Sequence, residues 1–303
     1  MIRFGLCCLF YEEPIKFRTA TAKYSGSLKP LERVKKISGL CLENADSLKN
    51  AILFCSAASI GSFRINSRIL PLKTHPELGY EVTSLPDGDE IIRRFKNCGK
   101  LAAENNIRLS FHPDQFTLLS SPDPEITRKS VEELAYQAEV AEWTGADVIN
   151  IHGGGAYGNK QLAVKRTARN IRSLDQSIRD KLTLENDDRV YSPADLLPLC
   201  LETETPFVYD IHHHRCLPDG LTVKEVTKTA LGTWNREALF HISSPKNGWH
   251  NPGAHKHNDY IDIKDFPECW KNLNITVDIE AKAKELAVIR LRNELKKTVS
   301  DKH

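Results

Sequence analysis

IRLSFH (residues 107–112) and DVINIH (147–152) are strand-like runs, and they flank the helical segment DPEITRKSVEELAYQAEVAEWTG (123–145). Asp123 is an N-cap candidate followed by a proline at the first helical position, and Gly145 stands just after the last turn. Apolar residues recur at helical spacing between these two signals. This stretch therefore predicts one strand–helix–strand unit, and it decides the fold.

The same alternation of strand-like and helical segments continues along the rest of the chain. Alternating β and α segments with about eight strands predict an α/β fold of the (β/α)8 TIM-barrel type, as a single domain over residues 1–303. An open doubly wound sheet is the alternative, but no GxGxxG motif follows an early strand. The predicted strands are Ile2–Cys8, Ser59–Ile65, Ile107–His112, Asp147–His152, Leu182–Asn186, Phe207–Ile211, Ala238–Ile242 and Ile275–Glu280.

The composition is typical of a soluble enzyme inside the cell. The chain has 303 residues, 40% hydrophobic and 27% charged, which is enough for one large domain with a substantial core. Its net charge of +2 gives no general attraction for nucleic acid, so DNA affinity must come from a local patch or from bound metals. The opening MIRFGLCCLF predicts a first strand and not a signal peptide, and no segment predicts a membrane span. Eight cysteines without a CxxC motif favour reduced thiols and an intracellular location.

Histidines and carboxylates stand at the carboxyl ends of six of the predicted strands. In a barrel these ends converge on one mouth, where active sites are found. Side chains alternate between the barrel interior and the helix layer, and in four of the six strands the ligand-type residue shares its face with polar residues. The other two are less regular, because Asp210 follows Val208 and His241 follows Leu239. The six residues are His112, His152, Glu185, Asp210, His241 and Glu280.

Imidazoles and carboxylates that converge without cysteine are ligands for divalent zinc, manganese or iron. Glu185 could bridge two such ions, and paired ions activate water and neutralise the oxygens of an in-line phosphoryl displacement. This chemistry needs no covalent nucleophile, and the sequence contains no convincing Ser-His-Asp arrangement. Each residue alone is more often a satisfied polar side chain, but the six strand ends together favour a metal site.

Several segments, taken in order, resemble the UV-damage endonuclease family. The match runs from His75 to Glu285, and the order and spacing are specific although no single motif is diagnostic. The resemblance implies a (β/α)8 barrel with two to three divalent metals, manganese favoured and zinc, cobalt or magnesium also compatible. It implies damaged double-stranded DNA as the partner, cut on the 5′ side of UV photoproducts to leave a 3′-hydroxyl and a 5′-phosphate. The segments are HPDQF, NIHGGG, LTLEND, YDIHHH, FHISS, HKHNDYI and DIEAKAKE.

The resemblance also implies three neighbouring metal sites. Glu185 would belong to the first site and bridge to the second, and a third site would lie beside them. The expected catalytic residues are Glu185, His241 and Glu280. The first site comprises His112, His152 and Glu185; the second adds Asp210, His241 and Glu280; the third comprises His213 and His257.

Four further residues are expected to meet the substrate. Gln115 and Phe116 stand where the family has a Gln-aromatic pair that is inserted into the duplex at the lesion. Extruding a damaged nucleotide costs roughly a few kcal/mol of unstacking, and an aromatic wedge can fill the space left behind. His75 matches a family histidine near the metals, and Lys246 could meet a phosphate. From the residues alone, Phe116 could equally be a packed loop aromatic, and Lys246 a solvated surface lysine.

The chain departs from the family at two places. Family members can carry a carboxylated lysine two residues before the histidine that matches His241, and this chain has Leu239 there. Binding of the third metal is therefore in question, with His255 or a water as a substitute ligand. The first strand also carries Leu6 and Phe10 where relatives have a polar or tyrosyl lesion contact, so the substrate range can differ.

Three other functions remain open. An abasic-site endonuclease similar to endonuclease IV has the same barrel and the same metal chemistry, and only the Gln115–Phe116 loop favours the lesion enzyme over it. A sugar isomerase or epimerase of the xylose-isomerase-like barrels also surrounds divalent metals with His, Glu and Asp. A metal-storing or DNA-binding module is the alternative without catalysis. In each case we expect a monomer.

Overall fold

A computed structural model describes the backbone of residues 2–300 and the side chains of residues 2–297, so His303 lies outside the described residues. Eight parallel strands form a closed barrel in sequence order, and β8 pairs with β1. The predicted (β/α)8 barrel is therefore confirmed. The strands are β1 (Arg3–Cys7), β2 (Ser62–Ile65), β3 (Arg108–Phe111), β4 (Val148–His152), β5 (Leu182–Glu185), β6 (Phe207–Asp210), β7 (Ala238–Ile242) and β8 (Ile275–Ile279).

Helices surround the barrel and connect most of its strands. The α-helices are α1 (Ala22–Ser27), α2 (Pro30–Ala57), α3 (Gly88–Glu104), α4 (Pro124–Thr144), α5 (Lys160–Ser173), α6 (Gln176–Arg179), α7 (Pro193–Thr203), α8 (Ile211–Cys216), α9 (Val223–Gly232) and α10 (Lys284–Ser300). Short 3-10 turns span Val82–Ser84, Ile263–Asp265 and Glu268–Trp270. No helix in the described part of the chain is long and apolar enough to cross a membrane.

Capping residues and glycines in the sequence locate the ends of most helices and strands. Asp123 caps α4 by accepting a hydrogen bond from the backbone N–H of Glu125, and Gly145 ends the helix with a left-handed φ of +72°. The largest difference is at β2, which begins at Ser62 and not at Ser59. Ser59 has a φ of +54°, so it belongs to the turn that follows α2 and cannot continue a strand.

Two apolar layers fill the molecule. The larger lies between the barrel and its helices, and it includes the outward-facing residues of the strands. The smaller is a separate cluster of Val148, Val208 and Leu239. Strand alternation puts Val208 on the face of Asp210, and Leu239 on the face of His241. The two strands that look irregular in the sequence therefore follow the same alternation as the other four, because these apolar residues fill the lumen.

Candidate metal centre

The six ligand-type residues predicted at strand ends come together at the mouth of the barrel. Each lies within one residue of the carboxyl end of its strand. With His213 they form three groups, and the ligand atoms within each group lie within 4.8 Å of one another. Glu185 and Asp210 each belong to two groups, so the three groups are continuous. The groups are His112, His152 and Glu185; Glu185, Asp210 and His213; and Asp210, His241 and Glu280.

The ring of His112 is oriented as a metal-binding imidazole requires. Its Nδ1 atom lies 3.1 Å from the carbonyl oxygen of Pro113, and because a carbonyl only accepts, Nδ1 must carry the proton. The Nε2 atom then faces Oε2 of Glu185 at 3.0 Å. Nδ1 of His152 is buried without a hydrogen-bond partner among the described residues, and burial lowers the pKa of His152. Both rings therefore have a nitrogen atom close to a Glu185 oxygen, as a shared ion would require.

Glu185 is fully buried at the centre of the groups. Its Oε1 atom lies 3.0 Å from Nδ1 of His241 and 3.4 Å from Nδ1 of His213, while Oε2 faces His112 and accepts from Asn150. Burial alone would raise the pKa of this carboxyl, but the neighbouring histidines, led by His241, hold it well below its usual value. Glu185 is therefore ionised, and its two oxygens face different histidines, as a bridging ligand requires.

Asp210 offers an oxygen that nothing in the described chain uses as a hydrogen-bond acceptor. Its Oδ1 caps α8 by accepting from the backbone N–H of His213 at 2.7 Å, whereas Oδ2 is buried without a hydrogen-bond partner. Nδ1 of His213 lies 2.9 Å from the carbonyl oxygen of Asn186, to which it donates. A buried carboxylate oxygen without a partner beside an oriented imidazole fits a divalent ion.

Glu280 belongs to the group of Asp210 and His241, and it also lies near His257. Oε2 of Glu280 lies 3.8 Å from Nδ1 of His257. Burial alone would raise the pKa of Glu280, but Arg64 and the neighbouring histidines hold it well below its usual value. His257 is positioned by an antiparallel bridge with Pro245 at the base of the loop after β7. Its ring lies 6.4 Å from that of His213, so these two residues stand near each other as the third site would require.

The three histidines of the IHHH run have different surroundings. His213 alone joins the metal-binding groups. The ring of His212 lies 5.1 Å from the rings of both Trp249 and His257, and so packs under the loop after β7. His214 lies within hydrogen-bond distance of the hydroxyl of Tyr209 and the carboxylate of Asp219, inside the core.

Gln115 and Phe116 lie on the loop between β3 and α4, which also carries His112. Both are exposed, and Phe116 is exposed by 73%, which excludes a packed loop aromatic. Tyr11, on the loop after β1, is another exposed aromatic, at 66%. The buried carboxylate of Glu285 holds that loop by accepting hydrogen bonds from three consecutive backbone N–H groups, starting at Tyr11. Apolar rings are thus presented to solvent on loops that follow the strand ends.

The remaining predicted contacts lie outside the ligand groups. Lys246 is exposed on the loop after β7, as a phosphate contact or a solvated lysine would be. His75 is held within its own turn, where Nδ1 accepts from the backbone N–H groups of Glu77 and Leu78. It lines a surface pocket with Arg128. The local turn, which a motif match does not reveal, determines the direction of this ring.

The departures from the family at Leu6 of β1 and at Phe10, just beyond this strand, both lie at packed positions. Leu6 is fully buried in the layer between barrel and helices, and Phe10 stacks on Phe63 at 5.8 Å and packs edge-on against Phe54 at 5.4 Å. Neither side chain is therefore presented as a lesion contact. His255, the suggested substitute ligand, is exposed on the loop after β7.

One charged residue of the lumen beside the ligand groups was not among the predicted site residues. Arg64 on β2 is buried and contacts His241 and Glu280. The alternation of FRI, with a polar residue between two apolar ones, was the signal that could have placed Arg64 on the lumen face.

The fold and the site together define a (β/α)8 barrel whose mouth offers continuous histidine–carboxylate groups suited to divalent ions. The chain belongs to the UV-endonuclease UvdE family, whose model matches residues 2–302. It is 35% identical to a UV DNA damage endonuclease of Bacillus mycoides (strain KBAB4), over 97% of this chain and 95% of the relative. This membership confirms the resemblance seen in the motifs, and it supports assignment to the DNA repair endonucleases.

Solved structures agree with the fold. The crystal structure of SacUVDE matches with a TM-score of 0.87 at 28% identity, over 98% of this chain and 99% of that one. Endonuclease IV from Thermus thermophilus matches with a TM-score of 0.60 at 14% identity, over 98% of this chain and 99% of that one. The second likeness concerns the barrel alone.

Proposed function

We propose that this protein is a metal-dependent endonuclease that nicks duplex DNA immediately 5′ of UV photoproducts. The observation that carries the proposal is the continuity of three ligand groups through Glu185 and Asp210 at one open mouth. The exposed pair Gln115 and Phe116, on the loop that carries a ligand of the first group, supports a lesion-binding role. Membership of the UvdE family supports the same activity.

The residues present fit two to three divalent ions, with manganese favoured. Such ions would polarise the phosphodiester oxygens and lower the pKa of the attacking water. Glu185 would be shared between neighbouring ions, and Asp210 would turn its unpartnered oxygen towards them. The proposed ligands are His112, His152, Glu185, Asp210, His213, His241, His257 and Glu280.

Hydrolysis at this site needs no side-chain nucleophile. A water oxygen would form the new bond to phosphorus while the bond from phosphorus to the 3′ oxygen breaks. The water gives up one proton and the leaving oxygen gains one, which leaves a 3′-hydroxyl and a 5′-phosphate. The buried carboxylates hold the centre in place, and exposed Lys246 is proposed to contact a phosphate of the bound strand.

The test is cleavage of an end-labelled duplex that carries one cyclobutane pyrimidine dimer, with and without Mn²⁺. We expect a nick immediately 5′ of the dimer that depends on the metal. A folded, metal-loaded protein that cuts only an abasic duplex would instead support the function of an endonuclease IV-like enzyme. Inactivity on both duplexes, with turnover of a ketose or aldose, would support a sugar isomerase or epimerase.

Replacing Phe116 by alanine is expected to reduce discrimination between damaged and intact duplex. The ring is 73% exposed, so its removal leaves the barrel unchanged but removes the group proposed to stack in the opened duplex. Loss of one base–aromatic stack should weaken lesion binding by roughly tenfold, measured by fluorescence anisotropy with a dimer-containing duplex. Leu201→Ala, which truncates an apolar side chain 56% exposed on α7, is the matched control. Unchanged preference in Phe116→Ala would reject the wedge role.

Ion binding is expected to strengthen as the pH rises through neutrality. Burial would lower the pKa of His213, but Asp210 and Glu185 raise it well above its usual value, and Glu185 likewise outweighs burial at His241. A proton must leave each ring before the ring can bind an ion. Because the pKa values of both rings are raised, protons still compete with the ion above about pH 6.5, the usual pKa of histidine. Calorimetric titration with Mn²⁺ from about pH 6 to about pH 8.5 measures this. A constant affinity over that range would contradict it.

A further inference from the structure

A buried arginine lies beside the proposed metal ligands. Arg64 on β2 is 7% exposed. Its Nη2 atom lies 2.7 Å from Oε1 of Glu280 and 3.0 Å from Nε2 of His241. Its Nε and Nη2 atoms both lie 3.1 Å from Oδ2 of Asp278. One guanidinium therefore contacts two proposed ligands of the same group and a further carboxylate on β8.

A second arginine in the lumen contacts only residues outside the ligand groups. Arg108 on the neighbouring strand β3 is buried to the same degree, with 9% of its side chain exposed against 8% for Arg64. It pairs with Asp147 at 2.9 Å and donates to the hydroxyl of Thr276 at 3.0 Å. Neither Asp147 nor Thr276 belongs to a ligand group. The difference between the two arginines is therefore in what they contact and not in burial or charge.

The surroundings of His241 explain what the contact of Arg64 achieves. A guanidinium only donates and a carboxylate only accepts, and Nε2 of His241 has Arg64 at 3.0 Å and Asp278 at 3.8 Å. Arg64 therefore lies within hydrogen-bond distance of Nε2, whereas Asp278 lies beyond it and instead holds the guanidinium by accepting from its Nε atom. On the other side of the ring, Nδ1 points at the ligand groups, where it lies 3.0 Å from Oε1 of Glu185. Arg64, held by Asp278, thus fixes the direction of the ring.

The contact between Arg64 and Asp278 depends on a glycine in the adjacent strand β1. A Cβ atom on Gly5 of β1 would lie only 2.0 Å from Oδ1 of Asp278. Any side chain at residue 5 would displace the Asp278 carboxylate and, with it, the contact to Arg64. Glycine at this position is therefore required by the close approach of Asp278.

We propose that Arg64, supported by Asp278, is a positioning residue that holds His241 and Glu280 in the orientation that binds an ion. Its Nη2 atom is paired with the Glu280 oxygen Oε1, while Oε2 faces His257. This inference rests on the proposed function, because it assumes that His241 and Glu280 bind a metal. It adds residues that do not contact the ion themselves.

The experiment compares Arg64→Lys with Arg108→Lys in the full-length protein. Lysine keeps the charge in both variants but loses the planar fork that contacts several acceptors at once. After the metal is removed, each protein is titrated with Co²⁺, and its absorption spectrum reports the coordination of the bound ions. We expect Arg64→Lys to lose affinity for the ion at His241 and Glu280 by about 10- to 100-fold, with a changed spectrum. Arg108→Lys should bind Co²⁺ like the wild type, whatever its melting temperature.

Asp278→Asn provides a second variant that leaves Arg64 itself in place. Asparagine has nearly the same volume, and Arg64 keeps its pairing with Glu280, so this variant should fold even if Arg64→Lys does not. We expect it to weaken binding of the same ion, because Arg64 loses the carboxylate that holds its Nε and Nη2 atoms. Circular dichroism of each variant establishes the fold before the titration.

The outcomes separate the inference from the proposed function. Wild-type Co²⁺ binding by Arg64→Lys or by Asp278→Asn would overturn the positioning role. Equal losses in Arg64→Lys and Arg108→Lys would also overturn it, because both would then act through barrel stability alone. A wild-type protein that binds Co²⁺ but cuts no dimer-containing duplex would contradict the proposed function and leave the comparison of ion affinities valid.

Discussion

Glu185→Gln is expected to abolish nicking while the barrel remains folded. Glutamine has the size of glutamate but removes the negative charge that both oxygens share among the surrounding histidines. Because Glu185 belongs to two of the three ligand groups, the substitution weakens both sites at once. Loss of several kcal/mol of charge stabilisation in the transition state corresponds to a fall in rate of about 10³-fold or more.

The measurement is single-turnover cleavage of a dimer-containing duplex, with the metal content of each protein determined beside it. Glu237→Gln is the matched control, because Glu237 is a partly buried glutamate outside the ligand groups, paired with Arg3 at 2.9 Å just before β7. The control should cut like the wild type. If Glu185→Gln retained both its ions and near-normal nicking, the bridging role would be wrong.

The convergence of the strand-end histidines and carboxylates could be predicted because two simple regularities act together. Parallel strands in a barrel bring their carboxyl ends to one mouth, and alternation along each strand decides which side chains enter it. His112 and Glu280 are 168 residues apart in sequence, yet both rules place them at the same end of the lumen. The fold class and the candidate ligands follow from these rules without knowledge of any distance.

The parts that could not be predicted depend on neighbours that lie far away in sequence. Arg64 contacts one proposed ligand on β7 and another just beyond β8, so these contacts appear only once the barrel is closed. Val208 and Leu239 look like breaks in the polar pattern, but a lumen must also be filled. His75 and Phe10 have their directions set by a local turn and by ring packing, which similarity to a motif does not include.

Removal of the metals is expected to stop nicking and to lower the melting temperature. The centre buries the carboxylates of Glu185, Asp210 and Asp278, with Arg64 as a fixed cation among them. Without ions this negative charge is balanced in part by protons on His213 and His241, which is why their pKa values are raised. Ions bind the folded state and not the unfolded chain, so they stabilise it by mass action.

At a free Mn²⁺ concentration of about 1,000 times the dissociation constant, this linkage is worth about 4 kcal/mol, or roughly 10 °C in melting temperature. We expect chelation to remove that increment together with all cleavage, and added Mn²⁺ to restore both. Asp210→Ala tests whether the two effects have the same origin, because it removes a proposed ligand shared by two groups. That variant should show a smaller metal-dependent shift and no nicking. Cleavage that survives full chelation would contradict the metal-dependent mechanism. Loss of lesion binding without any cleavage defect in Asp210→Ala would favour a binding module, because a catalyst must lose cleavage.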